Sequence, residues 1–261
     1  MKLALAALPL FASLAAAQSV DVVSAERRTE VGAYGFDFEF DDGLLLNESS
    51  PDVAGPWSSD LVGDLDDYYG IDVADAQATV DSTLSGTELS ADLDVVASTT
   101  GSLFISDSGG TAAYRADFNV TSQVRYVFTA SVQSTYGYNE SYATLAFEDA
   151  ELFGVDASYG AKDSLLTFGW FHPGAYTLDA TAIGSAGLSG GADLQSASTS
   201  FELQILHAAD SNLDGIVTFN DAVLFVEFLL GGSLLADFNG DGALTIEDWE
   251  DYVAAWLTAG A

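Results

Sequence analysis

The run Val124-Arg125-Tyr126-Val127-Phe128-Thr129-Ala130-Ser131-Val132 puts Val124, Tyr126, Phe128, Ala130 and Val132 on one face of an extended chain, with Arg125, Val127, Thr129 and Ser131 on the other. Strand side chains alternate between faces, so this is the spacing of a half-buried β-strand. The reading extends outward in both directions. Phe36-Asp37-Phe38-Glu39-Phe40 alternates apolar with acidic, and Tyr142-Ala143-Thr144-Leu145-Ala146-Phe147 is a third such run. Leu165 to Trp170 and Tyr176 to Ala182 flank a turn at His172-Pro173-Gly174, and Phe201 to Ile205 reads as the closing strand. Runs of this length, broken by Gly, Asp, Asn and Ser, predict a mainly β fold, a jelly-roll-like antiparallel β-sandwich over residues 18–206. Asp60 to Asp94, rich in Asp and Ala, is compatible with strands, a short helix or a long loop. Gly184 to Ser200 is low in bulky residues and reads as a long loop or mobile excursion before the last strand.

Beyond residue 207 the pattern changes, and one motif occurs twice. Asp210-Ser211-Asn212-Leu213-Asp214-Gly215-Ile216-Val217-Thr218-Phe219-Asn220-Asp221 is matched by Asp237-Phe238-Asn239-Gly240-Asp241-Gly242-Ala243-Leu244-Thr245-Ile246-Glu247-Asp248. Each has oxygen-bearing side chains at positions 1, 3, 5, 9 and 12, and Gly at position 6. That is the spacing of an EF-hand-type calcium loop. Calcium is a hard cation that takes six to eight oxygens. Asp210, Asn212, Asp214 and Asp221 supply side-chain ligands in the first loop, and Asp237, Asn239, Asp241 and Asp248 in the second. Ile216 and Ala243 offer backbone carbonyls, and Thr218 and Thr245 act through water. The expected cofactor is two Ca2+. Clustered carboxylates repel one another without the ion, so folding and binding are expected to be coupled.

A helix is predicted after each loop, Asp221 to Leu230, ending at Gly231-Gly232, and Asp248 to Leu257. Thr218 and Thr245 lie three residues before Asp221 and Asp248, as in a capping box. No helical pattern precedes either loop, so each unit is half of an ordinary EF-hand. Beyond Asp221 the first helix is apolar nearly all round, with Glu227 its lone further charge. Such a helix is expected to be buried on several sides, against Val253, Trp256 and Leu257 of the second helix and against the β-domain, the alternative being that part of it is left for a partner.

The half-hand architecture with Asp at position 12 resembles the dockerin family over about Asp210 to Ala261. The resemblance implies a small α-helical dockerin-like module over residues 207–261 that docks onto a cohesin-like protein module. It further implies recognition residues at loop positions 10 and 11, here Phe219-Asn220 and Ile246-Glu247. These differ between the repeats and from the small hydroxyl or basic pairs of cellulosomal dockerins, so a partner outside cellulosomes is expected.

Composition bounds the rest. Met1-Lys2 followed by an apolar run and Ala15-Ala16-Ala17 reads as a signal peptide over residues 1–17, so a secreted or cell-surface protein is expected. The chain carries 40 acidic residues against 6 basic ones. Such a polyanion disfavours nucleic acid and anionic membrane and suits high salt, which screens self-repulsion. Absent cysteine excludes thiolate chemistry, and His172 and His207 are too few for a histidine-rich metal site.

The β-domain carries no recognised catalytic motif, so no catalytic residue is assigned. Asp64, Asp66 and Asp67 beside Tyr68-Tyr69 read as a solvated acidic loop. Trp57, Trp170, Tyr136 and Tyr138 are candidate sugar-stacking rings, with core packing the commoner role. Arg115 and Arg125 are expected to pair with carboxylates such as Asp117. Sequons stand at Asn47, Asn119 and Asn139. The expected function is calcium-dependent attachment by a protein whose β-sandwich is a non-catalytic binding or structural domain, possible glycan contact included. The alternatives are a polysaccharide-active enzyme carrying a dockerin, and an exported structural protein stapled by calcium.

Overall fold

The structure, a computed structural model, describes residues 20–36, 41–50, 55–66, 72–85, 87–135, 139–148 and 150–259. The segment read as a leader, Phe38 and Phe40, Asp67, Tyr68, Tyr69, Tyr136 and Tyr138 lie outside them. The chain divides into two compact units, Val20–Ile205 and one that contains Leu206–Ala261.

Ten strands build the larger unit: β1 (Val20–Phe36), β2 (Asp41–Ser49), β3 (Trp57–Asp66), β4 (Asp72–Leu84), β5 (Glu88–Val120), β6 (Val124–Ser134), β7 (Glu140–Phe147), β8 (Ala150–Ser158), β9 (Lys162–Phe171) and β10 (Gly174–Leu206). Strands β5 and β10 have 33 residues each and run antiparallel to one another through two layers. The carboxyl half of β5 pairs with β1 and with the amino half of β10, which continues to β7 and β8. Its amino half pairs with β4, and the carboxyl half of β10 leads on to β6 and β9. Two six-stranded layers result, β2-β1-β5-β10-β7-β8 and β3-β4-β5-β10-β6-β9. The chain changes layer where residues 102–104 of β5 stand opposite residue 190 of β10. An unequal count of this kind is a bulge, and it bends a strand out of one layer into the other.

The expected loop at Gly184 to Ser200 is therefore strand throughout, and Asp60 to Asp94 holds β3, β4 and the start of β5. The physical reason is the closeness of the layers. A Cβ added at Gly184 would lie 2.9 Å from Val95 Cγ1, and one at Gly110 would lie 3.1 Å from the same atom and 3.4 Å from Ala78 Cβ. Ala74, Ala76, Ala78, Ala91, Ala112, Ala180 and Ala182 of these strands are buried as well. Small residues signal loops by composition, but here they let two sheets approach. Elsewhere the core is aromatic, with Tyr126 on Phe171 at 4.3 Å and Phe118 on Tyr176 at 5.5 Å between ring centroids. Each such fully buried ring contributes roughly 1.5–3 kcal/mol.

Buried polar groups are bonded across the layers. Thr29 and Ser59 hydroxyls lie 2.6 Å apart, Ser59 donates to Glu48, and Thr199 donates to the Thr181 carbonyl. Arg27 is buried with its guanidinium on the Ser50 hydroxyl and the Gly55 carbonyl. Arg115 pairs with Asp117 at 3.4 Å and Asp179 at 4.0 Å, as expected. Arg125 is buried, with its guanidinium 3.9 Å from the centroid of the Trp170 ring. Among the described residues no helix is long and apolar enough to cross a membrane.

The smaller unit contains α1 (Phe219–Gly231), a 3-10 turn (Leu234–Ala236) and α2 (Ile246–Ala259). Both helices begin two residues earlier than the sequence pattern suggests. Thr218 is the α1 N-cap, and it forms a reciprocal capping box with Asp221. Gly232, at φ +70°, closes α1 in the left-handed conformation that favours glycine. Within this unit α1 is covered on one side, and part of its apolar surface is left exposed. Phe225 is its one fully buried apolar residue, whereas Phe219 is 71% exposed, Val223 43% and Leu230 83%. Leu257 of α2 is exposed as well. Two short helices cover only one stripe of each other, so the remaining apolar side chains of α1 face outward.

Candidate metal centre

Each twelve-residue loop is folded by its own carboxylates. Asp221 is fully buried; one oxygen accepts the amides of Ser211 (2.9 Å) and Asn212 (3.0 Å), the other the amide (2.7 Å) and hydroxyl (2.9 Å) of Thr218. Asp248 repeats this with Phe238 (2.8 Å), Asn239 (3.2 Å) and Thr245 (2.7 Å). The acid at position 12 thus ties the loop entry and position 9 to the first turn of its helix. Position 1 repeats too. Asp210 accepts the Gly215 amide at 2.8 Å, and Asp237 accepts the Gly242 amide at 2.9 Å. Position 5 accepts from position 7, Asp214 from Ile216 and Asp241 from Ala243. Gly215 and Gly242 sit at φ +83° and +82°, with no neighbour within 4 Å of an added Cβ. Glycine is needed there for backbone conformation and not for space.

The structure brings all twelve sequence-assigned residues into these two loops and first helical turns. Thr218 and Thr245 spend their hydroxyls on capping. Ile216 is exposed, and its side chain takes no part in the loop interior. The carboxylates are engaged chiefly with amides. Among the described residues no group of three or more carboxylate or imidazole side chains converges into a ready cage. Two side-chain oxygens of the loops are buried without a hydrogen-bond partner, Ser211 Oγ and Asp237 Oδ1, and the second belongs to a carboxylate at position 1, on a residue 9% exposed.

Electrostatics follow from these contacts. Burial pushes the Asp210 carboxyl above its usual range, aided by the charges of Asp221 and Asp214 and opposed by the Gly215 and Asp214 amides. Burial acts the same way on Asp221, but the bonds from Thr218, Asn212 and Ser211 outweigh it and hold that carboxyl low. His207 is lowered by burial, against the pull of Asp210.

Several contacts had no sequence signal. Trp256 donates its indole N–H to the Thr218 carbonyl at 2.9 Å, bracing the first loop from the second helix. Tyr252 donates to the Ala209 carbonyl at 3.2 Å. Phe219, Ala222, Val223, Val226, Glu227 and Trp249 line a hollow of about 320 Å3 between the helices. In the larger unit, Trp57 is half-buried and lines an open concavity of about 610 Å3 with Asp81, Glu88, Asp92 and Glu202. Trp170 has one face covered by Arg125. Asp64 is exposed on β3, Asn47 and Asn119 are exposed, and Asn139 is buried with its amide bonded to Thr135, Gln195 and Ser185.

No protein-family model matches the chain, and no curated protein matches it. Solved structures with weak similarity include the following two. One is a structure of infectious bursal disease virus, Gx strain, with TM-score 0.22 and 12% identity, covering 71% of this chain and 56% of that one. The other is the GH31 alpha-xylosidase of Xanthomonas citri, with TM-score 0.18 and 9% identity, covering 64% of this chain and 30% of that one. The chain thus spans about half and about a third of their lengths, and at these scores neither likeness defines a shared fold.

Proposed function

We propose that the smaller unit binds two calcium ions, one per loop, and serves as a dockerin-like attachment module on a secreted, non-catalytic β-sandwich. The observation that carries this reading is the buried, unpartnered Asp237 Oδ1 at position 1 of a loop whose hydrogen-bond set is repeated in the other. A buried carboxylate oxygen without a donor is costly, and a cation is the partner that removes the cost. The donors are all oxygen, with neither sulfur nor ring nitrogen, which suits calcium. Asp210, Asn212, Asp214, the Ile216 carbonyl and Asp221 would hold one ion, and Asp237, Asn239, Asp241, the Ala243 carbonyl and Asp248 the other. Thr218 and Thr245 cap the helices beside them. Bound calcium neutralises the clustered acids, and the chain's own part is to hold the loops in the turn that presents them.

For attachment, Phe219 and Ile246 occupy position 10 of their loops and are 71% and 66% exposed. Exposed apolar residues at equivalent helix starts, beside the hollow at Trp249, offer a docking face for a cohesin-like partner. The jelly-roll-like description of the sandwich rests on β5 and β10 passing as a pair from one layer to the other. A second reading, a polysaccharide-binding or polysaccharide-active sandwich, is favoured by the concavity beside Trp57. Calorimetric titration of calcium into the metal-stripped chain, with Asp214→Ala and Asp241→Ala alongside, tests the main reading. Two binding events, each lost with its own variant, support it; absence of binding removes it. Glycan binding or hydrolysis lost in Trp57→Ala would favour the second.

A further inference from the structure

We infer that the two loops are unequal, and that the Asp237–Asp248 loop takes calcium first and roughly tenfold more tightly than the Asp210–Asp221 loop. The inference rests on the calcium reading above. In the first loop the prospective ligands are bonded to one another. The Asn212 amide nitrogen donates to Asp214 Oδ2 at 2.8 Å, and Asp210 Oδ1 accepts the Asp214 amide at 3.2 Å while its Oδ2 holds Gly215. An entering cation must displace or share these bonds. In the second loop Asp237 Oδ2 holds Gly242, and Oδ1 is left buried with no partner. Among the described residues no bond joins the Asn239 amide nitrogen to Asp241; their one contact is the Asp241 amide on Asn239 Oδ1. A cation entering the second loop therefore meets a carboxylate oxygen that no hydrogen bond already holds.

Position 4 reinforces the difference. Both loops need a left-handed residue there. The second uses Gly240 at φ +72°, the first Leu213 at φ +61°. Leucine resists that conformation, so the empty first loop opens more readily and binding must reorder it. Giving up one charge-assisted hydrogen bond is worth about one decade in affinity, which sets the expected gap.

The test uses the full chain, metal-stripped and 15N-labelled, with calcium added in steps. The amides of Gly215 and Gly242 each report their own position-1 carboxylate. The Gly242 signal is expected to saturate before Gly215 has moved halfway, and Asp214→Ala is expected to bind one ion roughly tenfold more tightly by calorimetry than Asp241→Ala. Simultaneous movement, or Gly215 moving first, overturns the inequality and leaves two-site binding intact. If neither signal moves and no heat is released, the calcium reading itself falls.

Discussion

Phe225 of α1 and Tyr252 of α2 stack with ring centroids 3.9 Å apart and planes inclined by 12°. Each stands one helical turn beyond the acid that closes its own loop (221 to 225, 248 to 252). Phe238, the residue after position 1 of the second loop, meets both rings edge-on, at 6.1 Å and 5.8 Å. The equivalent position in the first loop is Ser211, and on that side the Tyr252 hydroxyl donates to the Ala209 carbonyl. The two loop–helix repeats therefore share one aromatic core.

Phe225→Ala removes the centre of that core and is expected to cost about 3–5 kcal/mol. The helical circular-dichroism signal should fall while the β signal of the sandwich persists. Retention of full helicity at 25 °C would show that the stack is dispensable.

Leu213→Gly relieves the left-handed leucine and is expected to stabilise the smaller unit by roughly 1 kcal/mol. The same change at Gly240 is not available, since glycine already stands there. Differential scanning calorimetry of the metal-stripped chain should show the melting of this unit shifted upward by several degrees. A downward shift would mean that the leucine side chain contributes packing greater than its strain.

Gly184→Ala drives a methyl against Val95 and is expected to cost about 1–3 kcal/mol, read as a lower denaturant midpoint of the sandwich. Val95→Ala in the same chain should return part of the loss. Additive effects of the two changes would contradict direct contact between the layers at this point.

Asp94 lies on the outer face of β5, where loss of water contact and the charges of Asp92 and Asp81 push its carboxyl above the usual range. Between the unfolded value near 3.9 and the higher folded one, the folded state keeps a proton that the unfolded state has lost. Stability therefore falls as pH rises through that window, and the penalty is complete above it. Asp94→Asn should raise Tm at pH 7 and leave it nearly unchanged at pH 3. An equal rise at both pH values would assign the effect to something other than charge.

Legibility followed side-chain size. The run at Val124–Val132 is β6 and Tyr142–Phe147 lies within β7, because large apolar residues alternate there with polar ones. The Gly/Ser/Ala stretch at 184–200 gave no such alternation, because its partners demanded smallness and not hydrophobicity. The exposure of Phe219 and Val223 was hidden for the opposite reason. Apolar composition says that a helix wants cover, not that its unit contains enough surface to provide it. In the loops, residue types and spacing were readable by eye, but the spare oxygen of Asp237 was not, since the same Asp at position 1 of the first loop has both oxygens engaged.

By itself the sequence determined the β character of residues 20–205, the two repeated oxygen-rich loops, the glycines at their sixth positions and the capping of their helices. All of these are local: they follow from alternation, from φ preferences and from hydrogen bonds within a dozen residues. Only the tertiary structure decided that β5 and β10 thread both layers, that Arg125 lies on Trp170, and that the two loop–helix repeats join through Phe225, Phe238 and Tyr252. Those contacts join residues far apart in the chain, and which distant surfaces meet is set by the packing of the whole unit.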